Sequence, residues 1–251
     1  MLPIPFIRPL VSYYLSRMET KEPARMRHAL HYVVEFLVIL LGISVSVFIE
    51  KDNARVYKEE IKDQSLTRIL QNIAQDSTDL EFNVYFHAVG AASCDWMVSH
   101  RSDYQQFHPD TVGKHCSLCL QANTIFVDNQ EEYRGLQSSG LIELIENDKL
   151  ANALQLKYVQ HEFLRQLETE IVEQCVEAMP TFYDEFEAPE NFERFDGFVV
   201  QRRWMGGTLE SSWIERFIDI SSMRGFYRMQ MEHCLRSDAE LKAWIEAEIA
   251  Q

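Results

Sequence analysis

The chain has 251 residues, 46% of them hydrophobic, with 15 Phe, 10 Tyr and 4 Trp, so it can fill a sizeable core and is not a disordered tract. Only 9 Gly and 7 Pro interrupt it, which favours long helices over many short strands. The formal net charge of −15 argues against a nucleic-acid partner, because phosphate affinity rests on Lys and Arg, and it disfavours broad contact with an anionic lipid surface.

Residues 1–28 carry Pro3, Pro5 and Pro9 and the run LVSYYL. Two readings stay open for them: a short interfacial helix on the cytoplasmic face, or a disordered tail. Next comes Ala29–Ile49, ALHYVVEFLVILLGISVSVFI. A helix of that length rises about 31 Å, enough for a hydrocarbon core of roughly 30 Å, and its apolar character runs right around the axis. We read residues 29–49 as a transmembrane helix of the signal-anchor type. The flank ahead of it is too long for a cleavable signal, and the run exceeds the h-region of about 7–15 residues.

Charge sets the expected orientation. Ahead of the span, Arg8, Arg17, Lys21, Arg25 and Arg27 face only Glu19 and Glu22, whereas from Glu50 onward 19 basic residues meet 36 acidic ones. The positive flank places the N-terminus in the cytoplasm and residues 50–251 outside it. The expected location is a bacterial inner (plasma) membrane, with a periplasmic domain if the cell is Gram-negative.

One face of the span is polar. At 100° per residue, His28, His31, Glu35, Gly42 and Ser46 lie within about 60° of one another. An acid about two turns inside the run costs on the order of 2–3 kcal/mol unless it is paired, protonated or snorkelling. Gly42 and Ser46 make a small-xxx-small step that permits close helix approach. Either Glu35 snorkels and the glycine is incidental, or His31, Glu35, Gly42 and Ser46 form a transmembrane interface with a membrane partner or a second copy.

Past Glu50 no Gly or Pro occurs until Gly90, and apolar residues recur at three-to-four spacing, so a long helix continuous with the span is expected to about His100. His108-Pro109-Asp110 and Gly113 break the pattern, and helix resumes near Ser117, with an extended stretch possible at Thr124–Phe126. Gly140 suits the C′ position of a short helix. Asn147 suits the N-cap of a long amphipathic helix with Leu150, Leu154, Tyr158 and Phe163 on its apolar side, closed by Pro180. Thr181–Gly207 reads as a mixed loop with a brief strand at Phe198–Val200. Two final helices follow at about Leu209–Ser222 and Ser237–Ala250, with helix expected between them. The fold class is mainly α: one N-terminal transmembrane helix continuing into a long helix of an acidic, extracytoplasmic helical bundle.

The acid-bearing span, its polar exit into a long helix, and YRGLQSSGLIELIENDKLANALQLKYVQ together resemble an uncharacterised bacterial family of single-span proteins, catalogued only as a domain of unknown function. The likeness covers roughly residues 25–175. Its most specific pieces are Tyr133 with Leu136, Ser139-Gly140, Leu144-Ile145, Asn147, and Leu150 with Leu154 and Tyr158. The resemblance implies the topology and a helical extracytoplasmic domain, and carries no activity.

Five cysteines, at 94, 116, 119, 175 and 234, all follow the span. Cys116-Ser-Leu-Cys119 is a C-x2-C, but Leu120 stands where a c-type haem motif needs His, and the helical setting does not suit a thioredoxin-like site. His108, His115, Cys116 and Cys119 are weak candidates for a zinc site, since a lone C-x2-C lacks a second pair. The leading expectation is structural: a disulfide from Cys116 or Cys119 to a distant cysteine such as Cys94, or thiols left reduced. No nucleophile elbow, H-E-x-x-H or phosphate loop is present, and the acidic runs Glu168–Glu177 and Asp184–Glu193 read as solvated faces without EF-hand spacing. Trp204-Met205-Gly206-Gly207 reads as a turn.

No catalytic residue, cofactor or metal is therefore expected. The favoured function is a membrane-anchored accessory or scaffold subunit, lodged in the lipid bilayer and bound to a membrane partner or to itself. A ligand sensor signalling through a membrane partner is the runner-up, and an unrecognised membrane-anchored enzyme the third reading.

Overall fold

The computed structural model describes residues 24–185, 192–195, 198–201 and 209–250. The expectations for residues 1–23, for most of Asp184–Glu193 and for Trp204–Gly207 fall outside that range. What is described is mainly helical. Helix α1 runs Ala24–Ser99, α2 Pro109–Gln121, α3 Glu131–Ser138, α4 Asp148–Glu185 and α5 Ser211–Ile249. Single 3-10 turns occur at Tyr104–Gln106 and Leu141–Leu144. Strands β1 (Phe192–Phe195) and β2 (Phe198–Gln201) pair antiparallel, with Phe192 opposite Gln201 and Phe195 opposite Phe198.

The chain divides into two compact units, Met1–Tyr57 and Lys58–Gln251. In the first, α1 is long and apolar enough to cross a membrane: an 18-residue window reaches a mean hydropathy of 2.5 with none of it buried. Tyr32, Phe36, Leu41 and Phe48 are each more than 60% exposed. The Ser44 hydroxyl donates back to the Leu40 carbonyl at 2.8 Å, so this polar group is satisfied within the helix.

The second unit holds two apolar cores. One joins Leu80, Cys94 and Met97 of α1 with Cys116, Cys119 and Leu120 of α2, Leu164 and Ile171 of α4, and Phe217, Tyr227 and Met231 of α5. The other joins Leu66, Ile69 and Ile73 with Leu136, Leu150, Leu154, Leu241 and Ile245. Buried polar residues of α1, among them Asp76, Asn83 and His87, lie between these apolar positions at helical spacing.

Local signals explain several boundaries. Gly140 takes φ +72°, a left-handed conformation that ends α3 where a side chain would be strained. The Asn147 Oδ1 accepts the backbone N–H of Lys149 at 3.0 Å and of Leu150 at 3.4 Å, capping α4. Pro109 opens α2 rather than interrupting the chain, because the first helical turn needs no N–H donor there.

Three expectations need correction. Pro180 does not close α4, which continues to Glu185. Ile171, Cys175 and Ala178 keep the helix packed, and the carbonyl that Pro180 leaves unpaired belongs to Val176, a residue that is 53% exposed. The two C-terminal helices are one helix of 39 residues, its buried face unbroken from Trp213 to Ile245. Phe163 is not on the buried side of α4: it is 41% exposed, while Leu150, Leu154 and Tyr158 are buried.

Candidate functional site

Between the two cores, α4 places Lys157 and His161 one turn apart on its inner face, both under 5% exposed. Lys157 Nζ lies 3.1 Å from Asp76 Oδ2 of α1 and donates to both Asp238 oxygens of α5 at 3.1 and 3.0 Å. It also meets His161 Nε2 at 3.0 Å. An ammonium has only protons to offer, so Nε2 accepts and the ring proton sits on Nδ1, which donates to Asp128 Oδ2 at 3.0 Å. Asp128 further accepts Gln130 Nε2 at 2.6 Å and pairs with Arg165 Nη1 at 3.3 Å.

The carboxyls respond differently. Burial pushes Asp76 above its ordinary value despite Lys157. Burial also works to raise Asp128, but hydrogen bonds from His161 and Gln130 and the charge of Arg165 outweigh it and hold the group at about 2.

Carboxylates also fasten the irregular segment 122–130. Asp76 Oδ1 accepts Asn129 N at 3.3 Å, Asp79 Oδ2 accepts Val127 N at 3.0 Å, and Glu168 Oε2 accepts Phe126 N at 3.0 Å. Glu168 also accepts the Tyr227 hydroxyl at 3.2 Å. The reading of Glu168–Glu177 as a solvated face therefore fails at its first residue, which is 6% exposed and raised in pKa by burial. Backbone donors without a strand partner need acceptors, and the carboxylates of Asp76, Asp79 and Glu168 supply them here.

Outside this cluster, Gln130, Gln137, Gln155 and Gln166 surround an open groove of about 520 Å³ with the stacked pair Tyr133 and Tyr158, whose ring centroids are 4.3 Å apart. Glu162 is the charged residue in its lining. The groove thus presents carboxamides together with the exposed Val159 and Phe163, while Gln130 and Tyr158 adjoin Asp128 and His161 of the cluster.

The second notable region is the cysteine-rich core. Cys94 and Cys119 form a disulfide with a Cα–Cα distance of 4.9 Å. Cys116 keeps its thiol, which points to Met97 Sδ at 3.5 Å and is pushed up in pKa by burial. Fully buried Arg224 reaches into the same core and donates to the Ala122 and Cys119 carbonyls at 2.7 and 2.9 Å and to Asn123 Oδ1 at 2.7 Å. These acceptors end α2, so the Arg224 guanidinium caps the C-terminus of that helix.

The histidines and cysteines of the expected zinc site do not converge. Cys119 is bonded to Cys94, the His115 ring stacks on Trp96 at 4.2 Å, and His108 is exposed. Among the described residues no three His, Cys, Asp or Glu side chains gather as a metal site. His31, Glu35, Gly42 and Ser46 are all exposed on α1, and a Cβ added at Gly42 meets no atom within 4 Å. Sequence reading missed Lys157, Asp76, Asp238, Asp128 and Arg224. Their signal is a charged residue at a position that helical periodicity assigns to the core, such as Lys157 three residues after Leu154.

No family model matches this protein, and neither a curated protein nor a solved structure matches it.

Proposed function

We propose that this protein is a membrane-anchored accessory or scaffold protein. Residues 29–49 cross the bilayer with the N-terminus in the cytoplasm, and the acidic helical unit beyond them binds a protein partner on the other side. This reading places it with the single-span family it resembles. The observation that carries it is the exposed apolar run of α1, where Tyr32, Phe36, Leu41 and Phe48 are left uncovered by the other described residues. Exposed apolar surface is costly in water, at about 25 cal/mol per Å², which supports a bilayer surrounding for this run. The Lys157 cluster supports a structural role for the second unit, since its charges are buried and paired with one another.

The test is native mass spectrometry of the gently solubilised full-length protein, with proteolytic identification of what travels with it. A reproducible stoichiometric partner, or a defined homo-oligomer, is expected. A lone monomer in every mild detergent sinks the scaffold reading. Glu35→Leu and Gly42→Leu separate the two contact surfaces: loss of association assigns it to the span, and retention assigns it to the helical unit.

A second reading, ligand sensing, rests on the open groove beside Tyr158. Its lining of four glutamines and Glu162 with Val159, Phe163 and two tyrosines suits an uncharged ligand that has both apolar and hydrogen-bonding groups. A thermal shift with such ligands that Gln155→Leu abolishes would move this reading ahead.

A further inference from the structure

Two sulfur pairs lie in one buried cluster where α1 faces α2. Helix α1 supplies Cys94 and Met97, one turn apart, and α2 supplies Cys116 and Cys119 at the same spacing. Cys94 faces Cys119 and Met97 faces Cys116, so the two pairs stand in antiparallel register. All four residues have 0% exposure. Beside them lies a cation without an anion among the described residues. Arg224 is completely buried, and its hydrogen-bond partners are the Ala122 and Cys119 carbonyls, Asn123 Oδ1, His87 Nδ1 at 3.2 Å and the Cys175 sulfur at 3.6 Å. None of these is a carboxylate, and Arg224 Nε has no hydrogen-bond partner among the described residues. A guanidinium held this way is costly, and a nearby negative charge would relieve it.

We propose that reduction of the Cys94–Cys119 disulfide opens a binding site for a soft d10 cation, with Cu+ the best match, formed by the three cysteine sulfurs and the Met97 thioether. Thiolate and thioether ligands together select Cu+ over harder ions. Metal–sulfur bonds of about 2.3 Å put the sulfurs of a tetrahedron about 3.8 Å apart, near the 3.5 Å between Cys116 Sγ and Met97 Sδ. The two i, i+3 pairs belong to one buried cluster on facing helices, and breaking the disulfide frees its two sulfurs to turn toward Cys116 and Met97.

The redox step uses a dithiol reductant. One of its thiolates attacks a sulfur of the disulfide and breaks the Cys94–Cys119 bond. Its second thiol then resolves the mixed disulfide, so the reductant leaves as a disulfide and both cysteines carry thiols. Cu+ binding displaces protons from the thiols it ligates, and Arg224 offsets the negative charge that remains. While the disulfide is intact two of the four ligands are withdrawn, so the site is gated by redox state. This inference is independent of the proposed anchoring role.

The experiment uses the full-length protein in detergent, oxidised or reduced with a dithiol, titrated anaerobically against a chromogenic Cu+–chelator complex. Helical content is followed by circular dichroism. The reduced protein is expected to withdraw one equivalent of Cu+, and the oxidised protein none. Cys116→Ser removes a ligand and loses the competition, as does Met97→Leu, a volume-conserving exchange that keeps the core filled. The proposal is overturned if the folded, reduced protein leaves the chelator loaded. Equal uptake by the oxidised protein overturns it too, as does undiminished uptake by both variants, or loss of helical signal in the reduced, Cu+-bound protein.

Discussion

The guanidinium of Arg224 lies against the backbone of α1 at Gly90: a Cβ built there would stand 2.9 Å from both Arg224 Cζ and Nη1 and 3.0 Å from Nε. Glycine at this point of a 76-residue helix is a matter of space. A mid-helix Gly→Ala change ordinarily stabilises by about 1 kcal/mol. Here it must displace a buried charge that caps α2, and Gly90→Ala is expected to destabilise the folded unit by about 2–4 kcal/mol. A double-mutant cycle read by chemical denaturation checks the cause. In an Arg224→Ala background the clash is gone, and adding Gly90→Ala should then be neutral or stabilising. A penalty of equal size in both backgrounds would show that the crowding is not with Arg224.

His87 gives a pH dependence with a definite sign. Burial first, and then the Arg224 charge, lower its pKa from 6.5 to about 3. Its Nδ1 accepts from Arg224 Nη1, and its ring meets Tyr227 edge-on at 4.7 Å. The native ring stays neutral while the unfolded ring takes up a proton below about pH 6.5, so stability falls as pH drops from about 6.5 towards 3. The full loss from this group is on the order of 5 kcal/mol. Asp76 and Glu168, raised in the fold, act in the opposite direction: the native state holds their protons more tightly, which favours folding as pH falls. The wild-type profile is therefore a sum. Subtracting the profile of His87→Gln isolates the histidine, and a flat difference between pH 7 and 4 would count against its neutral burial.

Lys157 is expected to matter more for stability than any single apolar residue around it. Truncating the charge by Lys157→Met leaves Asp76 and Asp238 buried without their cation and His161 without its donor. Breaking a buried pair from one side costs about 3–5 kcal/mol. The triple change that also makes Asp76→Leu and Asp238→Leu should recover much of that loss, because paired burial is itself close to neutral. Urea midpoints of the wild type, single and triple variants decide the matter. A triple variant no better than Lys157→Met would mean that the cluster's hydrogen bonds to segment 122–130 dominate.

These residues also show where sequence reading reached its limit. The continuity of α1 through Ile49 and on to Ser99 was legible because the run carries no proline and keeps its three-to-four apolar period. Gly140 and Asn147 were legible because a left-handed C′ position and an N-cap each demand particular residue types. Pro180 misled, since tertiary packing of Ile171, Cys175 and Ala178 outweighs a local helix breaker. The Lys157 cluster stayed hidden for another reason. Its members, Asp76, Asp128, Lys157, His161 and Asp238, come from four stretches of sequence, and a lone charge on an amphipathic helix gives no sign of the distant partner that compensates it.

The Cys94–Cys119 disulfide closes a loop of 25 residues between the end of α1 and the end of α2. On conformational entropy alone a loop of this size stabilises by about 3.5 kcal/mol through restriction of the unfolded state. Reduction, or Cys94→Ala with Cys119→Ala, is therefore expected to lower the denaturation midpoint by a corresponding amount while leaving the helical signal in place. Leu80, Met97, Phe217 and Tyr227 still fill the surrounding core, so the loss is one of stability and not of fold. The m-value should stay the same or rise slightly, because the unfolded chain freed of its cross-link exposes at least as much surface. Were the reduced protein as stable as the oxidised one, the two helix ends would have to be held together by Arg224 and its carbonyl acceptors alone, and Arg224→Ala in the reduced protein would then separate them.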